Sequence, residues 1–277
     1  MRFYKTLCSL LLFFSVLAHG QTGLPKTESV SPRIVTLAPV ISEWVAEILG
    51  RKATTERLVG VSEYSNYPEY VSTITKIGPY PQIDVEAVAN LKPDLVIASS
   101  EYNLPEQIEK LKRLNLRVEV LPAEKFSNME GWIAKVGDIL GVERNAETVS
   151  RAWHNQVQKI KGAHEPHKPK RKMMLQVQEN PLVTVGGTSF LTDAFAIAGY
   201  SNVFTDLDQA YPKVSKEAVL KAKPEVIFIL DLTGNAPDFK LATEHWANLF
   251  KGEVRVLPGD DFARCSFRLL KALEKLK

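Results

Sequence analysis

Cysteine is almost absent from this chain. Of its two cysteines, Cys8 lies inside the apolar run "LCSLLLFFSVLA", which follows Arg2 and Lys5 and leads into "AHG" before Gln21. That layout is a secretory signal with small residues at its cleavage point, so cleavage is expected after Gly20. Removing it leaves Cys265 without a partner in the chain, which excludes an intramolecular disulfide even in an oxidising compartment. Cys8 does not sit just after a small residue at the cleavage point, so it does not have the placement of a lipid-attachment site. The run has 12 residues, short of the ~20 a spanning helix needs, and no later stretch is a second candidate. A soluble, exported protein is expected.

Other absences narrow the function. The 35 basic residues lose Arg2 and Lys5 on cleavage, and 33 against 32 acidic residues leaves a net charge of +1. A nucleic-acid or polyanion binder would show a basic excess. Four histidines remain after cleavage, His154, His164, His167 and His245, and three of them fall on a single helix or its basic tail. Pro166 breaks any helical pairing of His164 with His167. Capture of free Zn or Mn calls for His and carboxylate ligands spread over a cleft, so that chemistry is not favoured. There is no GxSxG elbow, HExxH, Walker loop or dinucleotide fingerprint, and "VGGTS" at 185–189 reads as a turn entering a helix.

What the chain does have is alternation. Short β-branched runs at 33–38, 58–62, 94–99 and 117–122 are separated by helical patterns, and the scheme returns at 172–177, 201–204, 225–230 and 254–258. Such alternation predicts parallel α/β structure. Two lobes are expected, 21–142 and 165–277, joined by a helix over 143–164. In that helix Val149, Trp153, Val157 and Ile160 recur at three- and four-residue spacing. At ~1.5 Å per residue it spans roughly 30 Å. The polar stretch from Asp231 to Trp246 reads as a loop. Trp44, Trp132, Trp153 and Trp246 read as core, with the cleft as the alternative for Trp246. Met173 and Met174, adjacent in a strand, must face opposite sides.

One phrase occurs twice. "YPQIDVEAVANLKPDLVI" at Tyr80–Ile97 returns 131 residues later as "YPKVSKEAVLKAKPEVIF" at Tyr211–Phe228, with seven of eighteen positions identical. A weaker echo pairs "VEVLP" at 118–122 with "VRVLP" at 254–258. In each copy of the phrase a capping residue, Asp84 or Ser215, stands two positions before a glutamate, Glu86 or Glu217, and the helix closes at Lys-Pro. The helix dipole favours a carboxylate in the first turn by ~0.3–1 kcal/mol, reason enough for a glutamate there. Tyr80 and Tyr211 each precede a proline in a loop entering a helix, and loops at that end of a parallel sheet are where ligands bind. Two such lobes facing each other would turn one tyrosine from each into a shared cleft; packing of each tyrosine on its own lobe is the alternative.

Over nearly all of its mature length the chain resembles the periplasmic substrate-binding proteins of ABC importers for iron complexes, haem and vitamin B12. The resemblance rests on "RIVTLAPVISEWVAEILG", "LVGVSEYSNYP", "VEAVANLKPDLVIAS", the linking helix and "VSKEAVLKAKPEVIFI". It implies the helical-backbone, class III architecture, a monomer resident in the periplasm, and delivery of a ligand to an importer's permease and ATPase without covalent chemistry. One long linking helix implies a small hinge motion, since it resists bending more than extended strands do. The family's permease-docking glutamates match Glu86 and Glu217.

Within the family the pattern is most like that of members that bind vitamin B12, which implies a cobalamin or related corrinoid as ligand. By that resemblance Tyr64, Tyr80 and Tyr211 line the pocket and Asp260 and Arg264 form a polar pair at its rim. Flat aromatics suit a large macrocycle. Ser99 and Val183 stand where those members have a tryptophan and a phenylalanine, and the members' disulfide is missing. Haem is the alternative ligand, with Tyr80 as its axial iron ligand, and a ferric siderophore is third. A cofactor-handling enzyme with paired α/β lobes is the alternative of another class.

Overall fold

Eight β-branched runs become eight parallel strands in two sheets, shown by a computed structural model that describes residues 31–164, 169–232 and 236–276 with the side chains of 236–242 left aside. The leader with Cys8, and His167 with Pro166, lie outside the described residues. In the first sheet, β1 (Ile34–Thr36), β2 (Leu58–Val61), β3 (Leu95–Ser99) and β4 (Val118–Leu121) run parallel in the order β2-β1-β3-β4. The helices between them are α1 (Pro39–Arg57), interrupted at Gly50, then α2 (Val85–Asn90) and α3 (Pro105–Arg113), with α4 (Met129–Leu140) following β4.

After the linking helix α5 (Glu143–Gly162), the second sheet holds β5 (Arg171–Gln178), β6 (Val183–Thr184), β7 (Tyr200–Asn202), β8 (Val226–Asp231) and β9 (Glu253–Pro258). Its parallel strands run β7-β5-β8-β9, the order of the first sheet, and β6 adds an antiparallel pairing to β5 that the sequence reading lacks. The helices here are α6 (Phe190–Ile197), α7 (Lys216–Ala222), α8 (Ala236–Leu249), α9 (Gly259–Phe262) and α10 (Phe267–Leu273).

The likeness of the halves extends to single hydrogen bonds. Asp94 accepts from the Arg33 backbone N–H at 2.7 Å, and Glu225 accepts from that of Lys172 at 2.8 Å. The two lysines that close the repeated helices, Lys92 and Lys223, both have positive φ, 46° and 54°. Strands buried on both faces need apolar residues at every position. Accordingly Met173 and Met174, both fully buried, belong to cores on opposite faces of β5.

Helix α5 buries Trp153, Val157 and Ile160, as its spacing predicts. It packs on α1 and α4 from the first half and on α6 and α10 from the second. Gly137 lets α4 approach closely, because a Cβ there would run into Ala146 of α5. Trp44, Trp132, Trp153 and Phe267 stack at centroid distances of 5.4 to 6.2 Å, so aromatic packing ties both sheets to the helix. Pro32–Lys277 accordingly form one compact unit.

One expectation needs correcting. The stretch expected to be a loop between Asp231 and Trp246 contains α8. Its opening Gly-Asn-Ala-Pro is a turn signal, but Phe239, Ala242, Trp246 and Leu249 then recur at helical spacing. Trp246 takes the core place expected of it rather than the alternative in the cleft: it is fully buried in the second lobe, and its Nε1 donates to Gln176 Oε1 at 2.7 Å. The "VGGTS" turn does enter a helix. Ser189 caps α6, and Gly186 and Gly187 pass so close to the Gln209 and Thr205 carbonyls that no Cβ would fit.

Candidate functional site

The repeated phrase builds the same local structure twice. Asp84 accepts from the Ala87 backbone N–H at 2.9 Å and Ser215 from that of Ala218 at 3.1 Å, fixing the starts of α2 and α7. Glu86 and Glu217 follow in the first turns with their side chains in solvent. Its own backbone N–H and the Ser215 hydroxyl hold the Glu217 carboxyl below the usual carboxylate range.

The tyrosines gather at the carboxyl ends of the parallel strands, where an open α/β sheet presents its loops. Tyr64 follows β2, Tyr80 precedes α2, and Tyr102 follows β3. Their rings meet edge to face, Tyr64 with Tyr80 at 5.8 Å and Tyr80 with Tyr102 at 6.3 Å. Tyr211, from the other half, keeps 42% of its surface exposed. Yet its phenol is pushed up to about 12, first by burial and then by the nearby Glu101 and Glu124 charges, with the Ser189 hydroxyl opposing. Glu101 and Glu124 of the first half therefore lie near Tyr211 of the second. Tyr64 is 52% exposed. Exposed aromatics gathered in one place mark a binding surface.

Tyr102, Glu101 and Glu124 escaped the sequence reading because they lie outside the repeated phrase. One signal was available for Glu124. The offset of 136 that relates "VEVLP" to "VRVLP" also pairs Glu124 with Asp260, an acid just past the strand in each half. Glu124 is 5% exposed, and its Oε1 has no hydrogen-bond partner among the described residues. Burial drives its carboxyl up to about 7, with its own backbone N–H and the Tyr102 hydroxyl offsetting part of the effect.

That shift makes ligand-free stability depend on pH. Below the unfolded value of 4.5 the carboxyl is protonated in both states, and above about 7 the folded state must hold it ionised. At 1.36 kcal/mol per unit, about 3 kcal/mol is lost as pH rises through that window. Glu124→Gln is therefore expected to match wild type near pH 4.5 and to melt several degrees higher at pH 8. Melting curves at both values check this, and equal Tm at pH 8 would contradict it.

The expected rim pair is placed differently from a pair reaching out to a ligand. Asp260 is exposed, whereas Arg264 is 9% exposed and its guanidinium is occupied. It donates to Glu43 Oε1 at 2.7 Å, to the Tyr64 carbonyl at 3.0 Å and to Asn66 Oδ1 at 3.3 Å. Arg264 thus binds the second half to α1 and to the Tyr64 loop of the first. Glu43, on α1, was invisible in the sequence because its partner lies 221 residues away. Ser99 is buried, its hydroxyl accepting from the Glu101 backbone N–H at 3.2 Å, so it shapes the loop that carries Tyr102. Val183 is half-buried in β6. Cys265 is buried with Sγ 3.7 Å from Met129 Sδ, and burial raises its thiol far out of the reactive range.

Two cavities lie away from Tyr64, Tyr80, Tyr102 and Tyr211, one of ≈480 Å³ lined by Lys159, Arg171 and Tyr200 and one of ≈570 Å³ lined by Phe126, Trp153 and Ala196. Neither is lined by a residue of the repeated phrase. Among the described residues no group of three His, Cys, Asp or Glu side chains is placed to hold a metal ion, and no helix is long and apolar enough to cross a membrane.

Two matching α/β lobes joined by one long helix, with tyrosines gathered at the carboxyl ends of the strands, define the helical-backbone class of binding-protein fold. Residues 34–251 match the family described as periplasmic binding protein, and the chain belongs to that family. It is 30% identical over 253 residues to a vitamin B12-binding protein of Salmonella typhimurium, covering 91% of each chain. The periplasmic vitamin B12 binding protein of Vibrio cholerae superposes with a TM-score of 0.70 at 25% identity, over 89% of this chain and 95% of that one. A periplasmic haem binding protein from Pseudomonas aeruginosa shares the fold, with a TM-score of 0.76 at 24% identity over 87% and 90% of the two chains.

Proposed function

We propose that this protein captures a corrinoid, cobalamin or a near relative, in the cleft between its lobes and delivers it to the permease and ATPase of an ABC importer. The observation that carries the reading is the tyrosine wall: Tyr64, Tyr80 and Tyr102 in edge contact, faced by Tyr211 of the other lobe. Such a surface offers ring faces and edges to a broad macrocycle. Relatives named for vitamin B12 over 91% of the chain support it. Asp260 is the acceptor at the rim, and Arg264 acts there by holding the Tyr64 loop. Glu86 and Glu217, exposed at equivalent positions of the two lobes, are the permease contacts. The protein works in the periplasm after losing its leader near Gly20.

The test is an absorbance titration of the purified mature protein with cyanocobalamin and, in parallel, with haemin, each followed by gel filtration. One retained cobalamin per chain is the expected result. Retained haem with a tyrosinate-type spectrum would overturn it and make Tyr80 an axial ligand. Tyr80→Ala and Tyr211→Ala are each expected to weaken cobalamin binding by roughly 1–3 kcal/mol, the loss of a well-buried ring. Unchanged affinity in both would make the tyrosines structural.

A further inference from the structure

The cleft wall carries chemistry beyond its tyrosines. Glu101 follows the inner strand β3 and Glu124 the edge strand β4, both at carboxyl ends of the parallel sheet. Glu124 is buried yet keeps Oε1 without a partner among the described residues. Tyr102 lies beside it, Tyr80 packs on Tyr102, and both carboxyls act on Tyr211 across the cleft. A buried carboxyl with one unpartnered oxygen therefore stands beside Tyr102, next to the exposed carboxyl of Glu101.

Glu101 acts on Tyr102, Glu124 and Tyr211, and Glu124 acts on both tyrosines. Two cations of the first-half loops and the second half point away from this group. Arg264 is spent on Glu43, Tyr64 and Asn66, and Lys76 Nζ donates to the Ser65 carbonyl at 2.7 Å. A buried acceptor left unpaired is costly, and a ligand N–H that reaches it recovers the cost. A ligand carboxylate in the same place meets like charge.

We propose that Glu101 and Glu124 make the cleft selective for the edge of its ligand, accepting a hydrogen bond from a neutral primary amide and rejecting a carboxylate. The inference rests on the corrinoid reading and deepens it: an amide-rimmed corrin satisfies Glu124, whereas a macrocycle edged with carboxylates does not. Specificity of this kind comes as much from the repelled competitor as from the favoured ligand.

The experiment compares cyanocobalamin with its monocarboxylic acids, each with one peripheral amide hydrolysed, at pH 8 on wild type and on Glu101→Gln/Glu124→Gln. The corrin is the same in every probe, so only the edge charge changes. At least one monoacid is expected to bind wild type about tenfold more weakly than the parent, with the gap closing to within about threefold in the double variant. Monoacids that all bind wild type as well as the parent, or a gap that persists in the double variant, would overturn the proposal. Glu101→Gln alone, at an exposed position, gives a second variant that is not at risk of misfolding and is expected to close part of the gap. If wild type holds no corrinoid, the corrinoid reading fails, and the selectivity is then read with haemin. The double variant is expected to bind haemin about tenfold more tightly than wild type, and equal affinity would overturn the proposal on that arm.

Discussion

Ligand uptake is expected to stop when Glu86 and Glu217 are both changed to arginine, while ligand affinity stays within about twofold of wild type. Both side chains are exposed and neither belongs to the tyrosine wall. Asp84 and Ser215 still cap α2 and α7 in the variant, so the helices keep their starts. Reversing a charge in the first turn costs each helix only ~0.3–1 kcal/mol, too little to unfold a protein of this size. Against basic pockets on a permease the same reversal sets cation against cation, which costs several times more and also slows encounter. Transport measured in cells that depend on this binding protein is the readout, with cyanocobalamin titration of the purified variant as the control. Continued uptake by the double variant would remove the docking assignment, and lost affinity would move the glutamates to the binding step.

Much of this was legible in the sequence, because the fold writes itself in local patterns. The repeated phrase fixed the equivalence of α2 with α7 and of β3 with β8, and its capping residues are the ones that cap. β6 escaped because two residues pairing antiparallel beside a long strand have no periodicity to read. The opening of α8 was hidden by turn-forming residues. The site divides in the same way. Tyr80 and Tyr211 announce themselves by repetition and a flanking proline, whereas Glu124 gains its character from burial beside Tyr102, and Glu43 from a partner near the other end of the chain. Desolvation and long-range pairing are properties of the folded molecule, and no window along the sequence contains them.

Arg264→Met is expected to cost about 3–5 kcal/mol of stability, the range for removing one partner of a buried ion pair. Glu43 is 4% exposed, and its Oε2 already lacks a hydrogen-bond partner among the described residues. Without Arg264 the nearest remaining cation is Arg268, 3.9 Å from Glu43 Oε1. Burial raises the Glu43 carboxyl and Arg264 is the largest force opposing it, so the substitution sends it higher still. A carboxyl raised only in the folded state destabilises once pH exceeds its unfolded value, and fully above its folded one. The deficit should therefore be largest at pH 8 and shrink as pH falls toward 4.5, the ordinary value for this side chain. Replacing both residues, Glu43→Met with Arg264→Met, removes the stranded charge and should recover much of the loss, since apolar substitutes for buried pairs are often neutral. Urea unfolding at the two pH values reads the effect, and a deficit below about 1 kcal/mol or one that is flat with pH would mean the pair carries little. Because Arg264 also holds the Tyr64 carbonyl at 3.0 Å, the single variant should loosen the Tyr64 loop and weaken ligand binding as well. The apolar double variant should recover stability without recovering that affinity, which separates holding the lobes together from positioning the pocket.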